Sequence, residues 1–483
     1  MNPNCGLSAR NNLNQSEMPC LTLFWEIIMQ IRIANQLTLS RIPEGLQTAI
    51  CEKLTMPNPK WHENNRMNRW NGDTPRMLRF YEQSESGFVL PKGYARQLIY
   101  HCRQWGVEFC LDDKRRFLPE VDFNFTVRLK PFQNEAVKAM LKKDFGTLSA
   151  PTGSGKTIMA LFMIAERKQP ALIVVHTKEL LNQWVDRIET FLGIPESEIG
   201  IIGGGKKSIG DKITVALVQS LYKCAKKVSH HIGFLIVDEC HRTPSRTFTN
   251  AVTAFDCKYM LGLSATPWRR DKLSKLIFWH IGDVHHEVDK ADLVKNGDIL
   301  RPEVITRETD FRPYADPVAE YSKMLSELTQ DAIRNRLIVS DIAREARNCG
   351  GICLVLSDRK GHCQELQAVL RNEFNLPSEL ITGDIPTKRR QDIVERLNQG
   401  KVKVLVATGQ LIGEGFDCKE LSTLFLATPI NFNGRVLQYL GRILRPATGK
   451  KKAKVYDYVD VNVGVLRASA KARQKVYFTE KTL

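Results

Sequence analysis

An α/β chain with two tandem parallel-sheet lobes behind a smaller mixed α/β block is what this sequence predicts. Three observations carry the prediction. From about Arg128 onward, short β-rich apolar runs alternate with amphipathic helical stretches, the pattern of a parallel sheet covered by helices. That alternation occurs in two successive blocks. Ahead of them, between Met29 and Leu118, short apolar runs are punctuated by turn signals such as Pro57-Asn58-Pro59 and Pro91-Lys92-Gly93. With 483 residues, 43% hydrophobic and 25% charged, the chain can build two or three packed cores, which excludes a disordered protein.

In chain order, residues 1–28 form an N-terminal extension. Its apolar stretch Leu21 to Met29 falls far short of the ~20 residues a membrane-spanning helix needs. It also lacks the basic leader and small-residue cleavage site of a secretory signal. Because Met29 directly precedes a strand-like run, Ile31 to Leu39, Met29 is a candidate translation start. Residues 29–120 are read as an accessory domain and 125–300 as the first lobe, with strands at Leu172 to His176, Val215 to Val218, Phe234 to Asp238 and Met260 to Leu263. A polar connector, 301–335, leads to the second lobe, 336–462. Its strands are expected at Ile352 to Ser357, Val402 to Ala407, Leu424 to Ala427 and Lys454 to Tyr458. A basic helix, 463–483, ends the chain.

The formal charge of +17 points to a polyanionic partner, nucleic acid first, because basic faces gather phosphate backbones by counterion release. A diffusely basic soluble enzyme is the alternative. Twelve cysteines are scattered without a C-x-x-C pair or a His/Cys cluster at zinc spacing, so they read as reduced, mostly buried thiols of a cytoplasmic protein with no zinc site.

The strongest local signal is Ala150-Pro151-Thr152-Gly153-Ser154-Gly155-Lys156-Thr157, between a strand-like Gly146 to Ser149 and a helix at Ile158 to Arg167. In that context the glycines let backbone N–H groups approach phosphates, and the helix N-terminus adds positive potential. Lys156 reaches the β- and γ-phosphates and Thr157 can ligate Mg²⁺. About eighty residues on, Phe234-Leu235-Ile236-Val237-Asp238-Glu239-Cys240-His241 supplies an acid at a strand end. Asp238 is the expected metal partner, and Glu239 is placed to orient and deprotonate an attacking water.

These residues resemble the superfamily 2 helicases of the DExH type, and further motifs follow in order from Arg128 to Pro446. The resemblance implies two RecA-like parallel-sheet lobes sharing one ATP site. Ala150 in place of a first glycine is itself the form those helicases carry. By the same resemblance Gln133, in Leu129-Lys130-Pro131-Phe132-Gln133, reads adenine. Ser264 and Thr266, in Ser264-Ala265-Thr266-Pro267, together with His241, couple hydrolysis to lobe movement. Gly415 and Asp417, in the run Thr408 to Asp417, touch nucleotide and strand. Arg442 and Arg445, three residues apart, would face the γ-phosphate from the second lobe. The stretches Gly262 to Asp271 and Gly413 to Asp417 are similar to the XPB and UvsW group of double-strand-tracking enzymes, and the N-terminal block to the small DNA-engaging domain that precedes their motor.

By position in that family, Thr177, Lys178, Gln219, Ser220, Arg359 and Thr408 would line the strand path. Thr177 also fits a helix cap. From Ile443 to Leu483 there are ten Lys/Arg against three Asp/Glu, so the last helix either grips duplex or is a solvated flank of the last strand. Trp61, Trp70 and Tyr81 lie among basic residues and either stack on bases or fill a small core. The resulting expectation is an ATP- and Mg²⁺-dependent DNA helicase or translocase acting on duplex or branched DNA in repair, recombination or replication. The rivals are a DExH RNA helicase, the motor subunit of a restriction or defence complex, and a nucleotide-gated clamp without turnover.

Overall fold

The computed structural model describes residues 28–84, 87–242, 246–265, 273–348, 350–409, 418, 420–430, 436, 439–441, 443–444, 446, 450 and 452–478. Thr266, Gly415, Asp417, Arg442 and Arg445 lie outside the described residues, as do residues 1–27.

The first lobe is an eight-stranded sheet in the order Lys206–Lys207, Gly200–Gly203, Ile213–Leu217, Ala171–Val175, Phe234–Asp238, Tyr259–Ser264, Phe145–Ser149, Val284–Glu287. Its central strands are parallel and buried on both faces, which is why they read as continuous apolar runs. The second lobe is a six-stranded sheet in the order Pro302–Thr309, Ala453–Asp460, Leu421–Leu426, Ile352–Ser357, Val404–Thr408, Glu379–Ile381, again parallel throughout. Phe234–Asp238 and Ile352–Ser357 fall where the sequence puts them, and the other expected strands shift by one to three residues at their ends.

Three elements differ from expectation. The polar stretch 301–335 carries an eight-residue strand, Pro302–Thr309, paired with Ala453–Asp460, so the second sheet begins inside the stretch read as connector. As an edge strand it is mostly half-exposed, which gives it a polar composition. The run Ile31 to Leu39 is two antiparallel strands, Met29–Ile33 and Gln36–Ser40, reversing at Ala34-Asn35. The short strands Gly200–Gly203, next to one edge, and Val284–Glu287, at the other edge, lie outside the expected set. Of the nine described cysteines, six are buried.

The accessory domain is a five-stranded sheet in the order Glu82–Ser84, Gly87–Pro91, Gln36–Ser40, Met29–Ile33, Phe109–Asp113, with a separate ribbon of Thr55–Pro57 and Met77–Arg79. It is fused to the first lobe. Within the helix Ser274–Ile281, Leu276 and Trp279 pack into the accessory core while Ile277 and Ile281 pack into the lobe. The buried Lys92 donates to the carbonyls of Phe255 and Cys257 at 3.1 and 3.2 Å. Gly93 sits against the Phe278, Trp279 and Gly282 backbone so closely that no Cβ would fit. The linker is strapped down as well: Arg115 spans Asp113 and Asp144, and Arg116 pairs with Asp256.

The C-terminal helix Gly464–Phe478 is structural on one side. Buried Arg473 and Tyr477 both bond Asp457 of the last strand, while Arg467, Lys471 and Lys475 form an exposed basic face.

His280, on the shared helix, is 6% exposed and neither ring nitrogen has a hydrogen-bond partner among the described residues. Burial lowers its pKa from 6.5 to about 4. Between those values the unfolded chain binds a proton that the folded chain refuses, so stability is lost as pH falls from about 6.5 toward 4, by up to about 3 kcal/mol. Thermal unfolding followed across that window should show the midpoint of His280→Phe falling less steeply than that of the wild type; parallel curves would contradict it.

Candidate active site

Three neighbouring strand ends of the first sheet form the floor of the site. The register pairs Asp238 with Leu263 and Ser264 with Ser149, so Asp238, Ser264 and the start of the phosphate loop stand side by side at the carboxyl edge. In parallel sheets that edge is where ligands bind. The loop 150–155 then reverses the chain, with Gly153 and Gly155 at φ of 91° and 85°, conformations that only glycine adopts without strain, and the helix Lys156–Arg167 starts from it.

Lys156 Nζ donates to the Ala150 carbonyl at 3.0 Å, which holds it over the loop. Gln133 is 6% exposed and fixed at both ends of its amide: Oε1 accepts from the Lys130 amide and Nε2 donates to the Ser154 carbonyl, both at 2.9 Å. One amide proton and one lone pair remain for a ligand. A Cβ at Gly155 would press into that amide, so Gly155 and Gln133 require each other. Thr152 and Thr157 are half-exposed beside the loop, and the Ser154 hydroxyl is buried with no hydrogen-bond partner among the described residues.

Asp238 is 8% exposed. Its Oδ2 accepts from the Trp184 indole N–H and its Oδ1 from the Glu239 amide, both at 2.9 Å. Burial raises its pKa, and the neighbouring Glu239 charge raises it further. Glu239 adopts φ of 49°, a left-handed turn at the end of the strand that costs a residue with a side chain about 1 kcal/mol or more. Burial alone would push its carboxyl up, but the His241 imidazole and the Lys156 ammonium outweigh burial and hold it well below the usual carboxylate range. His241 Nδ1 lies 3.3 Å from Glu239 Oε2 and 3.2 Å from Ser264 Oγ, so one ring bridges the acid and the strand beside it.

Two carboxylates against one lysine leave excess negative charge in a buried place. A divalent cation would offset it, and the Asp238 carboxylate and Thr157 hydroxyl are hard oxygen donors suited to Mg²⁺. The orphaned Ser154 hydroxyl and the glycine-opened loop likewise fit a polyphosphate.

The second lobe reaches this floor. Around the helical residues Tyr439, Leu440 and Gly441, a Cβ at Gly441 would overlap the Thr152 side chain, so the two lobes meet backbone to side chain at the phosphate loop. Arg390 and Glu179 pair across the lobes at 3.4 Å, and the Leu300 amide donates to the Leu444 carbonyl at 2.8 Å.

The residues expected along a strand path cluster at the same edge of each sheet. Thr177 caps the helix Lys178–Leu192 by accepting from the Leu180 amide at 3.2 Å, so the cap is real whatever else it touches. Gln219 donates to the His176 carbonyl at 3.3 Å, which brings exposed Lys178 and Gln219 and half-exposed Ser220 onto one rim. In the second lobe Ser357 and Thr408 are register partners, and Arg359 follows Ser357. The Arg359 guanidinium is turned to Ser322, at 3.1 Å from its hydroxyl. Sequence reasoning missed Trp184, which reads only as a core position of its helix, and Gly441, which reads only as the residue before the first motif arginine.

The first lobe and the second match separate family models. Residues 126–269 match the model described as the res subunit of type III restriction enzymes, and residues 334–447 the helicase conserved C-terminal domain. Together they cover more than half of the chain. The DNA 3'-5' translocase XPB2 of Sulfurisphaera tokodaii is 28% identical over 380 residues, 72% of this chain and 85% of that protein. A protein of Acanthamoeba polyphaga mimivirus named as an ATP-dependent RNA helicase is 28% identical over 381 residues, 75% of this chain and 70% of its own. The ATP-dependent DNA helicase uvsW of Enterobacteria phage T4 is 23% identical over 424 residues, 80% of this chain and 82% of its own. No helix among the described residues is long and apolar enough to cross a membrane.

The contact at Gly441 is open to test. Gly441→Ala should lower ATP turnover about tenfold or more, since a methyl there displaces the second lobe from the loop, while the melting temperature stays within a few degrees. Undiminished turnover would show that the contact is not needed for chemistry.

Proposed function

The chain belongs to the superfamily 2 helicases, enzymes driven by ATP, and from that premise we propose that it is a DNA translocase whose single ATP site is completed by the second lobe. The observation that carries this reading is the second-lobe backbone packed on Thr152 over a floor holding Lys156, Asp238 and Glu239. In the proposed division of labour Lys156 and the 152–157 backbone hold the β- and γ-phosphates, and Gln133 uses its remaining donor and acceptor on adenine. Mg²⁺, held by Thr157 and Asp238, would supply charge neutralisation for phosphoryl transfer. Glu239, kept ionised by His241 and Lys156, orients the attacking water and takes its proton. Trp184 fixes the Asp238 carboxylate from behind. Arg442 and Arg445 would bring guanidinium charge from the second lobe, so turnover would require closure.

His241, bonded to Ser264 and close to Glu239, is a route by which loss of the γ-phosphate alters the first lobe. The path residues Thr177, Lys178, Gln219, Ser220, Arg359 and Thr408 then contact phosphates rather than base edges, which allows repeated stepping. DNA is favoured as the track because relatives of both the XPB and uvsW kinds, named for DNA, span most of this chain. An RNA track is the second reading, supported by the mimivirus relative.

ATP turnover measured with duplex, forked and single-stranded DNA and with RNA separates these readings. Stimulation by duplex or forked DNA, lost by about a hundredfold or more in Glu239→Gln, is the expected result. Stimulation by RNA alone would replace the DNA reading.

A further inference from the structure

The excursion from the two-stranded ribbon, residues 58–76, takes no part in the site described above. It leaves Thr55–Pro57, forms the helix Pro59–Arg66, turns, and returns into Met77–Arg79. None of residues 59–76 is buried, so nothing described packs over it. It is nevertheless braced from within. Asn58, itself buried, accepts from the Lys60 amide and donates through Nδ2 to the Pro75 carbonyl at 2.8 Å, while its own amide donates to the Arg76 carbonyl at 2.9 Å. Asn71 donates to Asn65 at 2.9 Å and accepts from Asn64 at 3.2 Å, and the Arg69 amide donates to the Asn64 carbonyl at 2.8 Å.

That scaffold presents Trp70, 91% exposed. Gly72 has φ of 47°, and a Cβ there would press on the indole at 2.8 Å, so one ring edge rests over the Gly72 backbone and the rest faces outward. An indole left in water on a braced turn forgoes one of the largest burial gains a side chain offers and stays available to a partner. The surroundings say which kind. Residues 58–79 carry Lys60, Arg66, Arg69, Arg76 and Arg79 against Glu63 and Asp73, and among the described residues none of these five cations is paired with a carboxylate. Arg76 lies over the Trp61 ring, 5.5 Å from its centre, which leaves Trp70 as the open aromatic face of the excursion.

A single aromatic face amid cations without carboxylate partners complements a nucleobase flanked by phosphates. One face stacks on one base. A groove for a long single strand would offer several in succession, whereas a duplex end or branch point exposes a single unstacked base. We infer that the excursion 58–76 is a stacking site for the exposed base at a branch point of duplex DNA, with Trp70 as the platform and Arg66, Arg69 and Arg76 on the adjoining phosphates. The inference rests on the nucleic-acid motor reading above and adds to it where the accessory domain would hold a junction.

The test uses the full chain and a forked DNA carrying 2-aminopurine at the branch base, with ATP turnover on closed circular duplex, which has no ends, as the separate readout of the motor. Wild type should change the 2-aminopurine fluorescence by stacking; Trp70→Ala should lose that signal and about tenfold in fork affinity, with Trp70→Phe restoring most of both. Because Trp70 is exposed, turnover on the closed circle should stay within about twofold of wild type in both variants. Unchanged fork affinity and fluorescence in Trp70→Ala, with turnover intact, would overturn the inference and leave the patch to a protein partner. A wild type whose turnover responds to no polymer would overturn the motor reading, and this inference with it.

Discussion

The parallel register of three strands, Phe234–Asp238, Tyr259–Ser264 and Phe145–Ser149, is the constraint on which the rest of the site depends. It sets a buried carboxylate, a buried serine and the root of the phosphate loop in one row. Each member is then fixed by something behind it. The Trp184 indole holds Asp238, His241 bonds Ser264, and Gln133 bonds the Ser154 carbonyl. A one-residue slip of any strand would invert the faces of its side chains and break the row. Because these strands are apolar on both faces, what opposes such a slip is the close packing of each face against its own helices.

The row alone is an incomplete site. It concentrates two carboxylates and one lysine where burial already opposes charge, so it gains from a cation and from a polyphosphate whose own charge must be met in turn. At the phosphate loop the second lobe approaches as bare backbone, Gly441 against Thr152. Only glycine permits that distance. The Arg390–Glu179 pair, with Arg390 largely buried and Glu179 about two-fifths exposed, adds direction more than energy, since partly exposed pairs contribute little. Chemistry and lobe position are therefore read through the same few atoms. At the far side, the accessory domain is fused to the first lobe through the helix Ser274–Ile281 and the buried Lys92, so it moves with the first lobe.

Legibility in the sequence followed burial. Strands buried on both faces, such as Ile352–Ser357, announce themselves as unbroken apolar runs, and the phosphate loop is legible because its chemistry demands glycine, lysine and threonine at fixed spacing. Pro302–Thr309 was illegible because an edge strand half in water has polar residues on its open face. Gln133 and His241 were legible only through family resemblance, since a glutamine on a helix start or a histidine after two acids carries no local signature. Trp184 could not be found at all: its partner Asp238 is fifty-four residues away in sequence, and only the packing of the helix Lys178–Leu192 on the sheet brings them together. Thr177 shows the converse, a cap that the spacing anticipated and the geometry bears out.

The central claim is that nucleotide brings the two lobes together over one site. Paired spin labels on exposed Lys227 of the first lobe and exposed Glu395 of the second would report their separation directly. A non-hydrolysable ATP analogue with Mg²⁺ should collapse the distances to a single short population, and ADP should broaden and lengthen them. Identical distributions in the two nucleotide states would contradict a site completed by lobe closure.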